Sequence, residues 1–238
     1  MNKGKKNLKI RKANERGHTL MDWLNSYHSF SFGNYFEEIY MHFGNLRVIN
    51  EDKIRGGAGF DLHPHKDMEI ITYIIEGALE HKDSLGNVSV IERDEVQVMS
   101  AGSGIRHSEY NHLKDKETHF LQIWILPEEK GIKPRYGQKS FKEKFLKDNF
   151  VLVISKEARE GSIEINQEVD VYVGRFKAHE EMNFEIGKGE AVWIQMVKGE
   201  MVVNHLSIYS GDGLAVTNEE ILNIKAQTDS EFLLFNLK

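Results

Sequence analysis

Two short segments carry side chains able to hold a metal ion. Residues 59–69 read Gly-Phe-Asp-Leu-His63-Pro-His65-Lys-Asp-Met-Glu69. On an extended strand alternate side chains share a face, so His63 and His65 point the same way, and Glu69 joins them if the strand runs unbroken. Residues 102–111 repeat the arrangement: a glycine turn, then His107 and Glu109 two positions apart. With 11 histidines in 238 residues, chance alone supplies about 0.5 His-x-His pairs, so the first pair decides little by itself. The second same-face pair makes the combination informative. Three imidazoles and a carboxylate suit a first-row divalent ion, imidazole supplying nitrogen and the carboxylate offsetting charge. The chain has no cysteine, which removes thiolate ligands, disulfides and iron–sulfur clusters, so nitrogen and oxygen must do the binding. Because protonated imidazole cannot bind, occupancy is expected to fall as pH drops through about 6 toward about 5.

The surrounding pattern is one of short β-rich runs separated by turns, which predicts a barrel or sandwich. Runs at 68–75, 88–91 and 96–99 lie among turn signals at Glu76-Gly77, at 83–87 and at 101–104. Residues 120–126 read as a buried strand that Pro127 ends, since proline cannot donate to a ladder. Residues 127–149 are polar and lysine-rich, which predicts a linker that holds a short helix. A second β-rich half follows, with runs at 150–155, 169–176, 191–197, 201–205 and 231–237. Nine of the 11 histidines lie at or before position 119, so imidazole chemistry belongs to the first half and the second is read as structural.

Composition narrows the classes of function. Apolar residues make up 40% and charged residues 29%, as in an ordinary globular protein. A formal charge of -6 offers no positive field for phosphate backbones, so direct nucleic-acid binding is not expected. The basic stretch at 3–16 lacks the apolar core of a signal peptide, and no run is long enough to span a membrane. It reads as a solvated arm, and the chain as cytoplasmic.

Beyond these local readings, the spacing H-x-H-x3-E, followed some forty residues on by G-x2-H-x3-N, is similar to the two cupin motifs. The words RKANERGH at 11–18, LRVINED at 46–52, HPHKDMEI at 63–70 and SAGSGIRHSEYN at 100–111 resemble those of the pirin-like bicupins. That resemblance implies an all-β fold of two stacked cupin (jelly-roll) barrels. On this reading residues 1–135 form the N-terminal barrel with the metal, 136–149 a linker and 150–238 a degenerate barrel without one.

The resemblance also implies His63, His65, His107 and Glu109 as ligands, whereas the wider cupin pattern would use Glu69. Strand parity permits either carboxylate, and both Glu109 and Glu69 are candidate catalytic bases; Glu69 could equally pair with Lys66 or Arg106. The implied metal is Fe(II), with Cu, Ni, Mn and Zn able to occupy such a donor set. The implied activity is dioxygenation of flavonols such as quercetin with release of CO. A second implication is a metal-bound regulatory protein that senses redox state through a protein partner. His28 and His42 lie in a segment that could cover the barrel mouth, and Phe30, Phe32, Phe43, Phe60, Met68, Tyr110 and Trp124 would suit an apolar substrate cavity, although such residues on strands are more often plain core.

Overall fold

β-branched and aromatic runs favour the pleated backbone, and the intervening Gly, Asn and Asp residues reverse it, so strands form almost throughout. A computed structural model describes residues 7–238. In the first half a seven-stranded sheet runs, neighbour to neighbour, Arg135–Ser140, Glu95–Ser100, Glu69–Glu76, Thr118–Ile125, Leu46–Ile54, Leu24–His28, Gly17–Leu20. A four-stranded sheet of Gly59–His65, Ile105–Asn111, Ala78–Asp83 and Val88–Glu92 closes over it. The second half repeats the plan. Seven strands, Leu8–Arg11, Gly213–Thr217, Ala191–Lys198, Ser230–Leu237, Val169–Phe176, Phe150–Ser155 and Ile163–Glu164, face Glu181–Glu185, Ile221–Ala226, Glu200–Val203 and Leu206–Tyr209. The molecule is thus two stacked cupin barrels.

Each large sheet has two faces, and the period of two assigns them different work. One face of each enters a shared core between the barrels, where Tyr73, Val98 and Ile123 meet Val153, Val171, Trp193 and Phe235. Two arginines clamp this junction: Arg93 to Glu231 at 2.7 Å and Arg175 to Asp94 at 2.6 Å. The opposite face lines each barrel's own interior. In the second barrel that interior is apolar, built from Val192, Ile194, Leu222, Ile224 and Leu234. In the first barrel the large sheet buries His28, Asn50, Asp52, Thr72 and Gln122. Burying so many polar groups is costly unless they are paired or used, which marks the first barrel as the chemical one.

The chain boundaries differ from the sequence reading in three places. Leu8–Arg11 pairs with Gly213–Thr217, Ile10 opposite Leu214, so this part of 1–135 belongs to the second barrel's sheet. The basic stretch is therefore not simply a solvated arm: Leu8 and Arg11 are buried, Arg11 Nε donates to the Ser29 carbonyl at 3.2 Å, and its guanidinium lies 3.6 Å from the Tyr40 ring centroid. Residues 3–6 lie outside the described residues. Arg135–Ser140 pairs with Glu95–Ser100, so the linker shrinks to 141–149 and carries the one-turn helix Lys142–Phe145. An edge strand rich in polar residues resembles a linker in composition because edges are kept polar against unwanted pairing. The strand expected at 201–205 ends at Val203, because Asn204 takes φ 54° and turns the chain.

Candidate metal centre

The small sheet of the first barrel positions most of the site. Gly59–His65 and Ile105–Asn111 pair antiparallel with His63 opposite His107 and His65 opposite Ile105; the register then shifts so that Glu109 faces Phe60. This bulge bends the strand. Within the shifted stretch His63 Nδ1 donates to the Asp61 carbonyl at 2.7 Å, which leaves the Nε2 lone pair for a ligand. The rings of His63, His65 and His107 lie 4.4 to 4.9 Å apart, centroid to centroid. One ligand atom from each falls within 4.8 Å of the other two, close to the roughly 3–4 Å spacing that metal–nitrogen bonds of about 2.0–2.1 Å require.

The tautomer of His107 follows from its neighbours. Asp83 Oδ2 lies 3.1 Å from His81 Nε2, and a carboxylate only accepts, so that nitrogen carries hydrogen. His81 Nδ1 is then an acceptor for His107 Nδ1–H, 3.4 Å away. The remaining nitrogen, His107 Nε2, is a lone pair that is buried with no hydrogen-bond partner. An orphaned buried acceptor is costly, and a cation between the three rings removes the cost. The residues present therefore fit a divalent metal. Asp83 is itself held by the Asn87 amide at 2.8 Å and the Leu85 N–H at 2.9 Å.

Glu109 sits opposite His81 in the neighbouring ladder and is buried. Both its oxygens accept from Gln122 Nε2, at 2.9 and 2.8 Å, and Oε2 lies 4.0 Å from His107 Nε2. Glu69 is placed elsewhere. The strand that was to carry it on from His65 breaks at Lys66–Met68, where Asp67 takes φ 50°, and Glu69 opens a strand of the large sheet. Its carboxylate accepts from Ser100 Oγ at 2.7 Å and the Asn166 N–H at 3.2 Å, in place of Lys66 or Arg106. Burial pushes its pKa up. It does not line the cavity that His63, His65 and Glu109 share.

Burial also holds two of the imidazoles neutral. His65 is brought down to about 4 by desolvation and then by the neighbouring His107 and His63, with Glu109 opposing. His107 is brought down to about 3 by desolvation, then by His63 and His81. Neutral imidazole is the form a metal requires.

His63, His65 and Glu109 open onto a cavity of about 260 Å³. Met21, Leu24, Phe32, Phe60 and Trp124 make its apolar wall, and the Trp124 ring stands edge-on to His65 at 5.0 Å. The polar wall includes His28, Asn50 and Asp52. His28, expected near the mouth, has Nδ1 2.7 Å from Asn50 Oδ1 and Nε2 2.9 Å from Thr19 Oγ1, whereas His42 is exposed and meets only the Gly44 carbonyl. Asp52 Oδ1 is buried without a partner, and desolvation raises the carboxyl to about 7. Asp52, Gln122, His81 and Asp83 were not singled out from sequence. His81 and Asp83 have the same two-residue spacing as the ligand pairs, a usable signal; Gln122 and Asp52 had none.

Comparison with known proteins agrees with the geometry. The pirin family model matches residues 9–125, and the model for the quercetinase C-terminal cupin domain matches residues 152–237. A protein of Escherichia coli (strain K12) named quercetin 2,3-dioxygenase is 48% identical over 228 residues, covering 96% of this chain and 97% of its own. A pirin-like protein of Caulobacter vibrioides is 38% identical over 213 residues, with 89% and 91% covered. The crystal structure of the bacterial pirin YhhW from Escherichia coli in complex with nickel(II) superposes with a TM-score of 0.93 at 47% identity, covering 97% of this chain and 98% of that one. Fold, paired cupin matches and full-length relatives agree: the chain belongs to the pirin family.

Proposed function

We propose that the protein is a metal-dependent flavonol dioxygenase. In this reading His63, His65, His107 and Glu109 hold one divalent ion, natively Fe(II), and the adjoining cavity takes a flavonol such as quercetin. The flavonol and O2 give an ester-linked ring-opened product and CO, with all atoms accounted for. The observation that carries the reading is the convergence of three histidines, one with an unpartnered nitrogen, beside an aromatic-walled cavity that His63 and His65 line. Relatives named quercetin 2,3-dioxygenase and a nickel-bound relative support it.

When bound, the ion supplies a Lewis acid that acidifies a substrate hydroxyl and a route for electron density toward O2. The chain's own residues do the rest. Phe32, Phe60 and Trp124 offer flat apolar faces that orient a planar ring system and exclude water from it. Asp61 and the Asp83–His81 pair fix the tautomers of His63 and His107. Gln122 fixes the Glu109 carboxylate by donating to both its oxygens, which orients it as a ligand.

The test is to purify the protein without added ions, identify its metal by mass spectrometry, and follow quercetin absorbance and CO under air. One CO per flavonol consumed, abolished by chelation and restored by Fe(II), is the expected result. No flavonol loss with any of Fe, Ni, Cu, Mn or Zn loaded would overturn the reading.

A further inference from the structure

Asp52 lies on Leu46–Ile54, paired with Ser26 on one side and Phe120 on the other, and it lines the cavity together with His63, His65 and Glu109. It is 3% exposed and Oδ1 has no hydrogen-bond partner. Among the described residues no Lys, Arg or His forms an ion pair with it; the nearby Arg16 and His119 are spent on Glu51, at 2.8 and 2.9 Å. An unpaired buried carboxylate is costly and is characteristic of functional sites.

The other titratable groups in the cavity wall are engaged. His63, His65 and Glu109 are assigned to the metal, and His28 has both ring nitrogens in hydrogen bonds. Asp52 is left as the titratable residue of the cavity wall with an unpartnered oxygen. We propose that Asp52 is a catalytic residue that accepts the proton of the reacting substrate hydroxyl. The O–H bond breaks, its electron pair stays on the substrate oxygen, and the proton forms a new O–H bond on the Asp52 carboxylate, to be returned to the carboxyl of the ring-opened product. This rests on the dioxygenase reading for the reaction, though the proton transfer needs only a hydroxylated aromatic ligand. Desolvation, with Glu109 and Glu51 adding and the Ser26 hydroxyl opposing, brings the group to about 7, the range in which a general base works best at neutral pH.

The experiment binds 3-hydroxyflavone anaerobically to the Fe(II)-loaded protein and reads the ligand's protonation state from its absorbance, which moves to longer wavelength in the anion. Wild type should bind the anion and Asp52→Asn the neutral form, with unchanged metal content and melting temperature. Under air kcat on quercetin should fall about 10²–10⁴-fold. Asp52→Ser, which also lacks a base, gives the second arm should the amide variant misfold. If wild type turns over quercetin and both variants bind the anion as wild type does, Asp52 is overturned and the dioxygenase reading stands. If wild type shows no turnover but the anion-to-neutral difference persists, the dioxygenase reading falls and Asp52 stands. Absence of ligand binding by wild type overturns both.

Discussion

Removing the metal should make the protein acid-sensitive in a way that His107 controls. In the metal-free fold desolvation, with His63 and His81, lowers His107 from 6.5 to about 3. Above the unfolded value neither state carries the proton and the residue is neutral to stability. As pH falls below it, the unfolded chain takes up a proton that the native state refuses, so stability declines until the folded value is reached. Going from about pH 7.5 to about pH 5, linkage assigns His107 a loss of about 2 kcal/mol. For a chain of this size that is about 4–8 °C in melting temperature. His65, lowered to about 4 by burial and its histidine neighbours, adds in the same direction. The assay is thermal unfolding of chelator-treated wild type and His107→Asn at both pH values. The variant should lose that part of the pH-dependent drop; equal drops in the two proteins would refute the account of His107 as a desolvated neutral group.

Metal retention tests the same chemistry from the other side: with His65 and His107 lowered to about 4 and about 3, the ion should survive dialysis at about pH 5 and leave below about pH 4, lower than unperturbed histidines would allow. Complete release at pH 6, measured by mass spectrometry, would contradict it. Gln122→Leu removes both hydrogen bonds to Glu109 and should weaken metal binding about 10–100-fold; competitive chelator titration reads this, and an unchanged affinity would detach Glu109 from the ion. Asp83→Asn disturbs the tautomer of His81 and through it His107, with a comparable loss of affinity of about 10–100-fold expected and the same titration as its check. Gly213→Ala would place a methyl 2.2 Å from the ring of Trp193, a buried side chain packed on Phe30 at 4.8 Å. It should cost about 1–3 kcal/mol, and an undiminished denaturation midpoint would show that the junction between the barrels can yield.

What could be read without coordinates was local. The two-residue period put His63 beside His65 and His107 beside Glu109, because alternation on a strand needs no knowledge of its partners. For Glu69 the condition of an unbroken strand is not met, since Asp67 enters the left-handed region and the strand ends at His65, and an aspartate tolerates that conformation without advertising it. His81 and Asp83 carried the right spacing, but only the pairing of Ala78–Asp83 with Ile105–Asn111 brings them beneath His107. Gln122 and Asp52 owe their positions to ladders joining Thr118–Ile125, Leu46–Ile54 and Leu24–His28, contacts between residues far apart in the chain that no window of sequence encloses. Where Glu109 and Glu69 come to lie was likewise tertiary, set by which sheet each strand joins. Leu8–Arg11 is the extreme case, paired with Gly213–Thr217 some two hundred residues away. Local pattern determined strands, turns and three histidines; the distant hydrogen-bonded pairings decided which side chains share an interior, because burial and electrostatics depend on neighbours in space.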